Sequence, residues 1–228
     1  MKLIDLTLEL YDGLQSFKSH PPFEIKEHST FENSGHRYIS PCKGFESRLI
    51  TFSDHSGTHI DAPVHFIEGG ETASDMTLDN TMGEAVFLDV SDFKSQDEAV
   101  TDAMMKSAEE KQGIQVREND IVLVRTRKGT WGDENFDEAK SFAKSAGEWL
   151  TNKKVKTVGL DLPNIDVNDN MKREVHMEVL GKNMYIVENL INLEKLPKQR
   201  RFQFQALPIK MKNATASPVR AIAFVDEF

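Results

Sequence analysis

Cysteine is almost missing from this chain: Cys42 is the only one in 228 residues. That excludes an intrachain disulfide and a thiolate metal cluster. Lys43 is the sole neighbouring group that could lower the thiol pKa, so Cys42 reads as a packed or surface thiol and not as a nucleophile. Basic residues are also short. Lys and Arg total 28 against 37 Asp and Glu, a formal charge of −9, which argues against nucleic-acid and anionic-membrane partners. Long apolar runs are absent. The opening Met1–Leu10 alternates apolar and polar residues and is broken by Asp5 and Glu9. It is read as a strand, neither a signal peptide nor a membrane span, which makes the cytoplasm the expected compartment. Linkers, internal repeats and low-complexity tracts are missing too, so one domain over residues 1–228 is expected.

What is present is a mixed pattern. Runs rich in Val, Ile, Leu and Phe recur at Arg48–Phe52, Ala85–Val90, Ile121–Arg125, Thr157–Leu162, Met184–Val187, Phe202–Ile209 and Arg220–Val225, and predict strands. Thr101 is placed to cap a short helix containing Ala103, Met104 and Ala108. Apolar residues at Ala139, Phe142, Ala143, Ala146, Trp149 and Leu150 predict a second helix over Phe136–Lys153. Residues 17–45 read as an irregular excursion. Strands interleaved with few helices indicate an α/β domain with a mixed sheet.

The seven histidines are not scattered evenly: three fall in the run His55-Ser-Gly-Thr-His59-Ile-Asp61-Ala-Pro-Val-His65. Gly57 and Pro63 interrupt a helix, and Thr58 and Ile60 favour an extended backbone. Alternate side chains of a strand share a face, so His59 and Asp61 point the same way. Gly57 permits a turn that folds His55 back toward them. Two imidazoles and a carboxylate at one point suit zinc, manganese, iron or cobalt. Pro63 redirects the chain before His65.

Downstream, His176 is the only later histidine, and Glu188 sits in the apolar run Met-Tyr-Ile-Val-Glu-Asn-Leu. A buried carboxylate needs a partner: an arginine, an array of amides or a metal. Asp161 and Asp166, beside Pro163, read first as turn and cap residues, with a place in the wall of a strand-end site left open.

These segments together resemble the cyclase-like metal-dependent hydrolases, a family that includes bacterial kynurenine formamidase (arylformamidase) and isatin hydrolase. The resemblance rests on His55 to Phe66, on Leu3-Ile4-Asp5-Leu6-Thr7, on Val158 to Pro163 with Ile165-Asp166, on His176 with Glu188-Asn189-Leu190, on Ala206 to Lys210 and on Ser217 to Ala221. It implies a swivelling β/β/α cyclase-like fold, a homodimer or higher oligomer, and one or two divalent metals, zinc or manganese foremost. Carried across, His55, His59 and Asp61 hold a first metal and His176 a second. Asp61 and Glu188 lie between, and His65 is the proton shuttle. The family's formamidases carry an aromatic, typically tryptophan, in the N-terminal loop. Here Tyr11 to Phe23 contains no tryptophan, leaving Phe17 or Phe23 as its substitute, and Asn164 replaces a more usual serine.

The implied activity is hydrolysis of an aryl formamide such as N-formylkynurenine. The alternatives are a cyclic amide or imide hydrolase of the isatin hydrolase kind, a lyase or dehydratase, and a non-catalytic metal-binding module.

Overall fold

The computed structural model describes residues 1–226, so the last two positions of the expected 1–228 domain lie outside the described residues. In chain order the strands are β1 (Lys2–Asp5), β2 (Glu24–Ser29), β3 (Ser47–Thr51), β4 (His59–Asp61), β5 (Met82–Asp89), β6 (Ile121–Arg125), β7 (Thr157–Leu160), β8 (Tyr185–Glu188), β9 (Phe202–Gln205), β10 (Ala216–Pro218) and β11 (Ile222–Val225). The helices are α1 (Phe31–Ser34), α2 (Leu78–Thr81), α3 (Asp102–Gln112), α4 (Lys144–Asn152) and α5 (Glu174–Leu180). No helix of the described residues is long and apolar enough to cross a membrane.

Nine strands form one mixed sheet in the order β1-β11-β9-β5-β6-β7-β8-β4-β10, and β2 pairs β3 as a separate hairpin. The β5-β6-β7-β8 block is parallel, and the flanking pairs are antiparallel. Alternation along the parallel strands divides the core. Val86, Leu88, Val122, Val124, Val158 and Leu160 face α3, α4 and α5, in a layer with Met105, Trp149 and Val179. Ala85, Phe87, Ile121, Leu123 and Val187 face the opposite way, packing with Leu6, Phe204 and Leu193. Both faces of the parallel block are therefore covered, which is why its strands read as continuous apolar runs.

Four expectations need correction. The helix expected over Phe136–Lys153 is confined to Lys144–Asn152. Ala139 and Phe142 are buried as expected, but Phe142 is extended and bridges both Val100 and Asp166. Hydrogen bonds Phe142 N–H to Ile165 O and Ala143 N–H to Val100 O hold it so, and tertiary pairing overrides the helical spacing. The run Phe202–Ile209 stops pairing at Gln205, ahead of Pro208. The stretch 17–45 is not wholly irregular, since it contains β2 and α1. Finally, His176 lies on a helix, α5, that the sequence reading did not anticipate. Thr101 does cap α3, accepting from Met104 N–H, and Cys42 is free and exposed.

Gly159 in β7 has no room for added bulk within the core. A Cβ there would meet Leu123 Cδ2 and Leu190 Cδ1, each at 2.7 Å. Gly159→Ala is expected to destabilise the fold by about 1–3 kcal/mol through overpacking. Equilibrium denaturation checks this, and an unchanged midpoint would contradict it.

Candidate metal centre

Strand register assembles the site. In the antiparallel pair β4–β8, His59 sits directly opposite Glu188 and Asp61 opposite Ile186. Cross-strand partners share a face, and Asp61, two residues along, shares the face of His59. His59 Nε2 is 3.4 Å from Asp61 Oδ1 and 3.5 Å from Glu188 Oε2. Gly57 precedes the strand at φ +63, where a Cβ would run into Leu10 Cδ2. That left-handed residue turns His55 back, with its Nδ1 2.9 Å from Asp61 Oδ1. From α5, His176 Nε2 lies 3.7 Å from Asp61 Oδ2 and 3.7 Å from Glu188 Oε1. All five side chains are buried.

Each imidazole is held from outside. His59 Nδ1 is 2.9 Å from the Gly57 carbonyl. His176 Nδ1 is 2.6 Å from Asp166 Oδ2, and Asp166 also accepts from the Val175 and His176 N–H groups at the start of α5. His55 Nε2 is 2.9 Å from the Thr215 hydroxyl, which donates to Asp54 Oδ2. All three outer partners are oriented to accept, so the outer nitrogens carry the protons. The inner nitrogens then present lone pairs to one centre. Metal-binding histidines are oriented in this way.

The electrostatics point to a cation at that centre. Burial alone would lower the His59 pKa, but the adjoining carboxylates of Asp61 and Glu188, by closeness and charge, raise it to about 10. His176, under the same burial, is raised to about 9 by Asp166, Asp61 and Glu188. Burial opposes ionisation of Asp61, yet the charge of His55 and contacts with His176, His55 and His59 hold its pKa well below the usual range. His59 Nε2 and both Asp61 oxygens are nonetheless buried without a hydrogen bond of acceptable geometry. Ligand atoms crowded at 2.9 to 3.7 Å fit a shared divalent ion. His59, Asp61 and Glu188 form one compact ligand set, and His55, Asp61 and His65 a second.

His65 follows Pro63 on a single 3₁₀ turn. Its ring centroid is 4.1 Å from that of His55 and 5.7 Å from that of His176. Burial, with His55 and His176 nearby, lowers its pKa to about 4. A cavity of about 160 Å³ opens over the cluster, lined by Phe17, Ser19, His20, His55, His59, His65, Phe66, Pro163, Asn164, Arg173, His176 and Glu188. Phe17 is thus at the cavity. Phe23 is not: it is buried against Leu8 and Leu14 and stacks on Phe52 at 5.8 Å, so the expectation that it contacts substrate is withdrawn. Asp161 also stands apart from the cavity lining. It accepts from Thr126 N–H and Oγ1, and burial raises its pKa to about 6.

The sequence reading passed over His20, whose ring lies 5.4 Å from His55, and Arg173. It read Asp166 first as a turn or cap residue, with a place in the wall of a site left open, and did not foresee its hold on His176. The histidine count could have flagged His20; nothing in the spacing singles out Arg173.

Residues 4–167 match the family model Cyclase, described as "Putative cyclase". This chain belongs to the Cyclase family. Among the family's relatives, a kynurenine formamidase of Erythrobacter litoralis is 33% identical over 76% of this chain and 74% of its own length. A kynurenine formamidase of Bacillus mycoides is 26% identical over 96% and 95%. Isatin hydrolase A of Ralstonia solanacearum superposes with a TM-score of 0.79 at 26% identity, covering 99% of this cyclase-family chain and 92% of that one.

Asp166 orients His176 without facing the centre. Asp166→Ala is expected to weaken divalent-metal affinity by about 10- to 100-fold, with Asp166→Asn recovering part of it. Competition with a chelating dye measures this, and unaltered affinity in Asp166→Ala would remove the orienting role.

Proposed function

We propose that this protein is a metal-dependent amidohydrolase of the arylformamidase type, using His65 as proton carrier. The observation that carries the reading is the set of unpaired buried donor atoms on His59 and Asp61, with His65 beside it under an open cavity. Kinship with kynurenine formamidases supports the bond class, an amide other than a peptide.

In this reading His55, His59, Asp61, His176 and Glu188 would hold one or two divalent ions. An ion so held would supply a Lewis acid for the amide carbonyl and lower the pKa of water to roughly 7. The chain's own residues supply the rest. Asp166, Gly57 and Thr215 keep the imidazoles in their working tautomers. His65, an imidazole kept neutral by its buried position, takes a proton from the attacking water and delivers it to the departing nitrogen. Formate and an arylamine leave. Phe17 and Phe66 provide apolar wall for an aromatic ring. The same groups would open a cyclic amide, and likeness to isatin hydrolase A favours that as the second reading. The proposal extends to a cytoplasmic homo-oligomer charged with zinc or manganese.

Two substitutions separate binding from chemistry. His59→Ala is expected to lose its metal and its activity together. His65→Ala is expected to keep most of its metal, by elemental analysis, while turnover of an aryl formamide falls about 10²- to 10⁴-fold. Loss of metal from His65→Ala would make His65 a ligand, in the set with His55 and Asp61. A metal-loaded wild type inert toward formanilides, isatins and imides would favour a binding module.

Metal removal gives a further check. Because the ion binds only the folded chain, adding it back at about a hundred times its Kd should stabilise the chelated protein by about 2.7 kcal/mol. No rise in melting temperature on re-addition would contradict a folded-state metal site.

A further inference from the structure

The hydrolysis described above leaves one wall of the cavity without a role. Arg173, immediately before α5, lines that wall. Its Nη1 is buried and has no hydrogen-bond partner among the described residues. A guanidinium stays charged at any working pH, so a buried nitrogen without an acceptor is costly. The backbone of Arg173 is also left-handed, at φ 48 and ψ 45. A residue with a Cβ is strained there, and such strain persists where the surrounding structure enforces it, often at ligand sites. In the same lining, His20 Nδ1 is buried and unpartnered as well. Beside the ligand atom His59 Nε2, the cavity therefore holds two further nitrogens in want of a partner. Glu188, the acid of that lining, does not serve Arg173, since it is turned toward His59 and His176.

The partner that matches a guanidinium fork is a planar carboxylate. We propose that Arg173 is a specificity-determining residue that takes a carboxylate carried by the substrate, and so sets a preference for acid-bearing over neutral aryl amides. This rests on the amidohydrolase reading for the reacting bond. The carboxylate preference itself rests on Arg173.

The test compares 2-formamidobenzoate with formanilide. In wild type, kcat/KM should favour the acid by about 10- to 100-fold, the range of a hydrogen bond to a charged group. That ratio should collapse toward one in Arg173→Gln and be intermediate in Arg173→Lys. Lys172→Gln removes a neighbouring exposed cation and should leave the ratio alone, which separates contact from long-range charge. A second readout is independent of turnover: benzoate binding to the metal-loaded protein, by calorimetry, should weaken at least tenfold in Arg173→Gln while benzamide binding does not. Equal ratios and equal benzoate affinity in wild type and Arg173→Gln would overturn the proposal, with the hydrolase reading intact. If no variant hydrolyses either amide, the hydrolase reading falls, and benzoate binding alone then decides whether Arg173 is a carboxylate anchor.

Discussion

Two carboxylates buried beside three imidazoles set the terms for everything around them. Asp61 and Glu188 share His59 and His176 within 3.4 to 3.7 Å. Removing negative charge from water is expensive unless positive charge accompanies it. Without an ion, protons on His59 and His176 meet that demand, which is why the pKa values of these two rise despite burial. A bound divalent cation displaces those protons and meets the same demand. The surrounding acceptors, Gly57 O, Asp166 and Thr215, are arranged for that exchange, since each holds one ring nitrogen and leaves the other free.

The sheet's register is the mechanical counterpart of this charge balance. His59 meets Glu188 because β4 pairs β8 residue against residue. A slip of one position would turn His59 and Asp61 to the other face and separate them from Glu188. Glu188 is the last residue of β8, and Asp161 and Pro163 lie just past the end of β7. The cavity thus opens outside the carboxyl ends of parallel strands, where ligands of open α/β sheets commonly sit. Loops complete it from elsewhere: Phe17 and His20 from the N-terminal excursion, Asn164 and Arg173 from the crossing before α5.

Local rules made part of this legible. Alternation on a strand put His59 with Asp61, and one glycine was enough to bring His55 back. The proline turn set His65 apart. An acid in an apolar run marked Glu188 as needing a partner. The partner's identity was not legible, because pairing of β4 with β8 is a long-range fact that no local spacing encodes. For the same reason Asp166 read first as a turn or cap residue: its side chain reaches the ring and amides of a residue on the next helix. Phe142 shows the converse failure, an apolar periodicity that suits a helix in a segment drawn straight by bridges to Val100 and Asp166. Phe23 was an aromatic in the right loop, but it faces Phe52 and the small core under that loop.

The chain began with a scarcity of cysteine, and the placement of the ligands gives that scarcity a different meaning. His55, His59 and Asp61 come from the first third of the sequence, while His176 and Glu188 come from the last. An ion gripped by both groups would tie strands β4 and β8 to helix α5 and close a loop spanning the middle of the sequence. Cross-links that close long loops remove the most freedom from an unfolded chain. The candidate metal centre would then act as a long-range cross-link, a role that the lone Cys42 cannot fill with an intrachain disulfide. A chelator acting on it would loosen the architecture as well as stop the chemistry.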